Sequence, residues 1–130
     1  LNLKNRISQY LDPKSFVPAG GQGALAIEIL SKREDLHNIL SSIIDEDTTM
    51  CCLAERIFLS KIGGDCFTPI GCYAEIDEKQ TLRITGYTAS IDGKNEIKET
   101  VQGKSSMART LALQLFDIMI KNGAKEIIHL

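Results

Sequence analysis

Three strand-like runs joined by short polar connections constrain the fold of this chain most. The runs are CYAEI, TLRITGYTAS and EIKETV, and they are separated by DEKQ and by DGKN. Residues such as Val, Ile, Thr and Tyr favour strands, and Asp-Gly is a strong hairpin signal. Because connections this short join antiparallel neighbours, the pattern predicts a three-stranded antiparallel meander.

Helical patterns flank these runs on both sides. MCCLAERIFLSKI follows an acidic stretch in which Thr48 or Thr49 could cap a helix, and Gly63 ends the pattern. MARTLALQLFDIMIKN carries a wide apolar stripe behind Ser105 or Ser106, and AKEIIHL adds a strand or a helical turn. We therefore expect an α+β fold, helix, three-stranded antiparallel sheet, helix, with both helices on one face of the sheet.

The first 46 residues form no such closed unit. Leu3, Ile7 and Leu11 have the spacing of one short helix, and residues 24–30 are an apolar segment of the length of a buried strand. A second helix is expected over SKREDLHNILSSII, with Ser31 and Glu34 forming a capping box. Because this part lacks partners and the chain begins LNLKNR, we expect a piece of a longer protein.

Charge and hydropathy exclude several classes of partner. Lys plus Arg is 15 and Asp plus Glu is 17, so neither sign builds a field that attracts nucleic acid or lipid. The apolar runs are far shorter than the ~20 residues that cross a bilayer, and the first residues lack a signal-peptide pattern. We expect a soluble, cytoplasmic protein that binds neither nucleic acid nor membrane.

The four cysteines have the pattern of reduced thiols. A chain with 43% hydrophobic residues does not need disulfides to hold its core. Their spacing, with His37 and His129 far away in sequence, does not fit a zinc site, so we expect no metal. Cys51, Cys52 and Cys72 are interpreted as small core residues.

Cys66 is the first candidate for chemistry, because SKIGGDCFTPIGCYAE places it in a Gly-rich loop where a thiol could attack an electrophile. The alternative is a buried, inert loop cysteine. Asp65 would raise the pKa of its thiol, since a nearby anion disfavours thiolate, and no histidine can be assigned as its base. PAGGQGAL precedes a strand-like segment, which favours a tight turn over a phosphate-binding loop.

Three blocks, VPAGGQGALAIE, AERIFL and IGGDCFTPIGCYAE, resemble the porphobilinogen deaminase family, also called hydroxymethylbilane synthase, in order and separation. That family has three domains and a longer chain, so the resemblance implies the C-terminal portion. Residues 1–46 would be the tail of the second domain and the strand and helix that return to the first. Residues 47–130 would be the C-terminal cofactor-attachment domain.

The resemblance also implies an activity and two site residues. The family is a transferase of porphyrin and heme biosynthesis that polymerises porphobilinogen into the linear tetrapyrrole hydroxymethylbilane and releases ammonia. Cys66 would hold the dipyrromethane cofactor through a thioether, and Gln22 would border the cleft where cofactor and substrate bind. One departure is Asp65, since many members have Gly-Gly directly before the cysteine.

The catalytic aspartate and the substrate-binding arginines of the family belong to its first two domains. No catalytic residue is therefore assigned in this chain. We expect these 130 residues alone to be inactive and Cys66 to be a free thiol without the cofactor. The full enzyme is expected to be a monomer.

Two other classes of function remain open. The order helix, three strands, helix is also that of a double-stranded-RNA-binding module, but Lys104 and Arg109 stand alone where that module needs a basic cluster. Residues 47–130 carry 10 basic and 11 acidic side chains, which argues against it. The third class is an assembly domain, in which residues 24–30 pair with a second copy across a free strand edge.

Overall fold

A computed structural model describes residues 2–63 and 67–128. The strands are β1 (Ile70–Ile76), β2 (Thr81–Ala89) and β3 (Glu96–Lys104), and they form one antiparallel sheet in the order β1-β2-β3. The helices are α1 (Glu34–Leu40), α2 (Glu46–Ile62), α3 (Ala108–Lys121) and α4 (Ala124–Ile128). The predicted meander and the α+β class are confirmed.

Both hairpin turns use polar side chains to fix the chain reversal. In the first, the Asp77 carboxylate accepts hydrogen bonds from the backbone N–H groups of Lys79 (2.9 Å) and Thr81 (2.8 Å). These bonds hold the pKa of Asp77 below its usual range. In the second, the Ser90 hydroxyl accepts a hydrogen bond from the Asn95 N–H at 3.1 Å. The strand register follows from these turns, with Cys72 opposite Gly86 and Ile84 opposite Val101.

The core lies between one face of the sheet and the helices α2 and α3. Alternate strand residues point into it, and the fully buried helix residues include Phe58, Leu115 and Met119. Gly86 in the central strand lies where the two helices meet. A Cβ atom there would lie 2.6 Å from Met119 Sδ and 2.8 Å from Phe58 Cζ, so only glycine fits. The two helices thus share one face of the sheet, as predicted.

The helix starts differ from the sequence prediction. Asp45, and neither threonine, caps α2, because its carboxylate accepts the Thr48 N–H at 2.7 Å. The hydroxyl of Thr49 instead donates to the Asp45 carbonyl within the first turn. A 3₁₀ turn, Ser105–Met107, precedes α3, and neither serine there makes a side-chain cap. The segment after α3, for which a strand or a helical turn was expected, forms the short helix α4.

Several predictions for residues 1–46 are wrong. A 3₁₀ turn, Lys4–Arg6, replaces the helix expected between Leu3 and Leu11. Arg33 stands at the start of α1 and makes no side-chain capping hydrogen bond, so the Ser31 capping box does not form.

Residues 24–30 form no strand, and Leu25 is 98% exposed. A strand needs a paired strand for its backbone groups, and among the described residues this segment pairs with no strand. None of the described helices is both long and apolar enough to span a membrane.

Candidate functional site

The connection from α2 to β1 carries Cys66, the predicted attachment residue. Gly63 ends α2 with φ +77°, and its N–H donates to the Leu59 carbonyl. On the other side, the Pro69 carbonyl accepts the Ala89 N–H at 3.0 Å. Cys66 itself lies outside the described residues, so its role stays a prediction. The structure describes the two ends that anchor this connection.

Residues 17–23, which we call the crossover segment, lie against the free edge of β1 and against α2. The Pro18 carbonyl accepts the Cys72 N–H at 2.9 Å, in the position of a neighbouring strand. At Gly71, an added Cβ would lie 2.7 Å from the Val17 carbonyl oxygen, so this close approach requires glycine. The tight turn expected at PAGGQG is present, and it is packed on the C-terminal half of the chain.

Before the crossover segment, the chain passes over the other face of the sheet. The Lys14 ammonium lies 3.0 Å from a Glu75 carboxylate oxygen, and the Lys98 ammonium donates to the Lys14 carbonyl. Glu75 and Lys98 are on the sheet face opposite the core, because they alternate with Ala74 and Ile97, which pack in or against the core. The N-terminal segment therefore wraps from one face of the sheet around the β1 edge to the helices.

Glu55 joins the crossover segment to the sheet. Its carboxylate accepts the Gly21 N–H at 2.6 Å and the Ala74 N–H at 2.7 Å, and the residue is only 6% exposed. Burial raises the pKa of Glu55, and the two N–H bonds oppose that rise by favouring the charged form. The Glu55 carboxylate is therefore buried, with each of its oxygens bonded to a backbone N–H.

A pocket of about 380 Å³ opens beside Glu55, between the crossover segment and the first half of α2. Gln22 lies at its exposed rim. The other lining residues come from the crossover segment, α2 and β1: Pro18, Ala19, Gly21, Gly23, Ala24, Asp47, Thr48, Cys51, Cys52, Glu55, Tyr73, Ala74 and Ile76. The structure thus brings Gln22 together with Glu55 and two thiols.

The described thiols are poor nucleophiles. Burial, with a smaller contribution from the Glu55 charge, raises the pKa of Cys51 to about 11. The same two causes raise the pKa of Cys72, which is fully buried in the core as predicted. Cys51 and Cys52, which were also expected in the core, are only partly buried and line the pocket, and of these two Cys51 packs against the core. No group of three or more His, Cys, Asp or Glu side chains in the described ranges is arranged to hold a metal ion.

Sequence reasoning missed Glu55. A signal was present, because Glu55 lies four residues after Cys51 and three before Phe58, on the apolar face of α2. A lone carboxylate at such a position needs buried donors. The pocket is set apart from the α2–β1 connection, because the eight residues from Glu55 to Gly63 span about 12 Å of helix.

Comparison with known proteins gives the same family along the whole chain. The family model "Porphobilinogen deaminase, C-terminal domain" matches residues 49–121, more than half of the chain. The model "Porphobilinogen deaminase, dipyromethane cofactor binding domain" matches residues 1–38.

Individual relatives agree with these matches. Proteins named porphobilinogen deaminase from Alkaliphilus metalliredigens and Staphylococcus carnosus are 43% and 42% identical over 99% and 94% of this chain. One from Coxiella burnetii is 36% identical over 99% of it. The chain spans about two fifths of the length of these curated relatives, 40%, 39% and 42% respectively. The chain belongs to the porphobilinogen deaminase family.

Proposed function

We propose that this chain is the C-terminal part of a porphobilinogen deaminase, a cytoplasmic transferase that joins porphobilinogen units into hydroxymethylbilane and releases ammonia. The observation that carries this proposal is the similarity to relatives of that name over 94–99% of the chain. Residues 47–130 would form the C-terminal domain, and residues 1–46 would belong to the second and first domains of the complete protein.

Cys66 is proposed as the residue that holds the dipyrromethane cofactor. Deamination of a porphobilinogen unit gives an electrophilic methylene-pyrrole, and a soft sulfur nucleophile forms a stable thioether with it. One S–C bond forms, one C–N bond breaks, and the thiol proton leaves with ammonia. When bound, the cofactor supplies the end from which the pyrrole chain grows. The raised pKa values of Cys51 and Cys72 support Cys66 by making these thiols poor competitors.

Gln22 is proposed to contact the cofactor or the growing pyrrole chain. Its amide can both donate and accept hydrogen bonds, which suits pyrrole N–H groups and carboxylate side chains. The exposed position of Gln22 at the rim of the 380 Å³ pocket supports this role.

The isolated 130 residues are proposed to be inactive, with Cys66 a free thiol. In this proposal the 130 residues supply the attachment cysteine and a contact residue, whereas the family's acid and anion-binding residues belong to its other domains. The test is ammonia release and hydroxymethylbilane formation from porphobilinogen, by these 130 residues and by the complete protein of the same gene. We expect turnover only from the complete protein. Turnover by the 130 residues alone would contradict the proposal.

Self-association is a second proposal, for the isolated chain only. Leu25, Ile27 and Leu30 are 98%, 61% and 77% exposed in a segment that pairs with no described strand. In the complete protein, which we propose is a monomer, the first domain would cover them. Light scattering of the 130 residues should detect dimers or larger species that decrease when Leu25 and Ile27 are changed to serine. A monomer at high concentration would rule this out.

A further inference from the structure

The Glu55 carboxylate connects two segments that are far apart in sequence. Its two oxygens accept hydrogen bonds from Gly21, 34 residues before it, and from Ala74, 19 residues after it. Both acceptor distances, 2.6 and 2.7 Å, are those of charge-assisted bonds. One side chain on α2 therefore contacts the crossover segment and β1 at the same time.

The geometry of the β1 edge explains why a side chain is needed here. The outward N–H groups of a strand recur every second residue, and Cys72 and Ala74 are two of them. Cys72 donates to the Pro18 carbonyl. Beyond Pro18 the crossover segment turns away, with Gly21 at φ +75° and Gly23 at φ +85°, so no backbone carbonyl follows for Ala74. Glu55 supplies that acceptor, and a buried N–H without one would be costly.

Only a carboxylate can serve both donors. Each oxygen of an ionised glutamate accepts, whereas a glutamine offers one accepting oxygen and turns its own NH₂ group toward the other N–H. Among the described residues, no Lys or Arg nitrogen forms an ion pair with Glu55, so its bonds go to backbone amides. The charge of Glu55 is therefore stabilised by backbone N–H groups of the two segments that it joins.

We infer that Glu55 is a positioning residue that fixes the Gly21–Gln22 turn against α2 and β1. It thereby sets where the Gln22 side chain lies at the pocket rim. The contact made by Gln22 rests on the proposed function. The attachment of the turn does not, because it follows from the contacts of Glu55 alone.

Amide hydrogen exchange, followed by NMR on the 130-residue chain, tests the attachment. Glu55→Gln should speed exchange at Gly21 by roughly 10- to 100-fold, the loss expected for a bond to a charged group. The matched control is Glu46→Gln, which makes the same change on an exposed residue of the same helix. It should leave Gly21 unchanged, and Ile84 in the central strand should stay protected in both variants. If the Gly21 amide exchanges as slowly in Glu55→Gln as in the unaltered chain, the inference is overturned.

A second measurement on the unaltered chain covers the case in which Glu55→Gln does not fold. The amide proton shifts of Gly21 and Ala74 should change with pH at one midpoint, the same as that of the Glu55 side-chain carboxyl carbon. This common midpoint follows because both N–H groups bond to one titrating carboxylate. Different midpoints, or no change at Gly21, would refute the attachment.

A double-mutant cycle in the complete protein tests whether Glu55 acts through Gln22. We expect Glu55→Gln and Gln22→Ala each to lower kcat/KM about tenfold, and the double variant to be no worse than the poorer single variant. Glu46→Gln should keep full activity. Additive losses would show that Glu55 does not act through Gln22. If Gln22→Ala alone has no effect, the proposed contact of Gln22 fails, while Gly21 exchange still decides the attachment.

Discussion

Thr88 is a fully buried residue whose hydroxyl oxygen has no hydrogen-bond partner among the described residues. It faces the core from β2, next to Ile70 and Ile97 in the strand pairing. Its neighbour Thr85 differs, because that hydroxyl lies 2.9 Å from the Thr100 hydroxyl on the other face. Two buried threonines of one strand thus have opposite hydrogen-bonding states.

The two threonines make a matched pair for mutation. Thr88→Val removes an unsatisfied buried hydroxyl and should raise the free energy of unfolding by about 1 kcal/mol. Thr85→Val leaves Thr100 without its partner and should lower it by about 1 kcal/mol. Denaturant unfolding of the two variants measures both changes. A loss of stability in Thr88→Val would mean that its hydroxyl has a partner.

The raised pKa of Glu55 predicts a pH dependence of stability. A carboxyl with a raised pKa in the folded state contributes stability that is fully present below the ordinary glutamate pKa of about 4.3 and is lost as pH rises through the raised value. The unfolding free energy of the native chain, minus that of Glu55→Gln, should therefore fall from pH 4 to neutrality.

Asp45 and Asp77 give the unfolding free energy the opposite pH dependence, because hydrogen bonds to backbone N–H groups lower their pKa values. Both proteins contain these residues, so their contribution cancels in the difference. Urea unfolding of both proteins across this pH range provides the measurement. A difference that rises with pH would show that the two N–H bonds outweigh burial.

At the scale of the elements, local signals predicted those that pack against each other. The Asp-Gly hairpin and the apolar stripe of α3 are encoded within short windows, and both form as expected. Residues 24–30 have the composition of a strand but form none, because strand formation needs a partner edge that composition does not reveal. Glu55 was missed for a similar reason, since its two donors are distant in sequence.

Packing of α2 and α3 on the sheet depends on Gly86. Gly86→Ala would place a Cβ 2.8 Å from the rigid Phe58 ring and should destabilise the domain by about 1–3 kcal/mol. Gly103→Ala is the control, because its Cβ would first meet a Leu111 methyl group at 3.0 Å, which a small side-chain rotation relieves. In thermal unfolding, the Tm of Gly86→Ala should be clearly lower than the Tm of Gly103→Ala. Equal Tm values would mean that the helices move aside at little cost in stability.

At the scale of the whole molecule, the helices and strands from Glu46 onward form the α+β layer, and residues 14–23 lie against it. The exposed apolar side chains of Leu25 and Ile27 support the proposal that this part of the chain packs against other domains in a longer protein. Similarity to relatives about two and a half times as long fits the same view. Of the two predicted site residues, Gln22 lies at the described pocket, and Cys66 lies outside the described residues.

Intact mass and peptide mapping of the complete protein, purified from cells that make porphobilinogen, test the central claim most directly. The proposal predicts a dipyrromethane adduct on the peptide that contains Cys66, retained in Cys52→Ser and absent in Cys66→Ser. An adduct on another residue, or a Cys66→Ser protein that still carries it, would contradict the account.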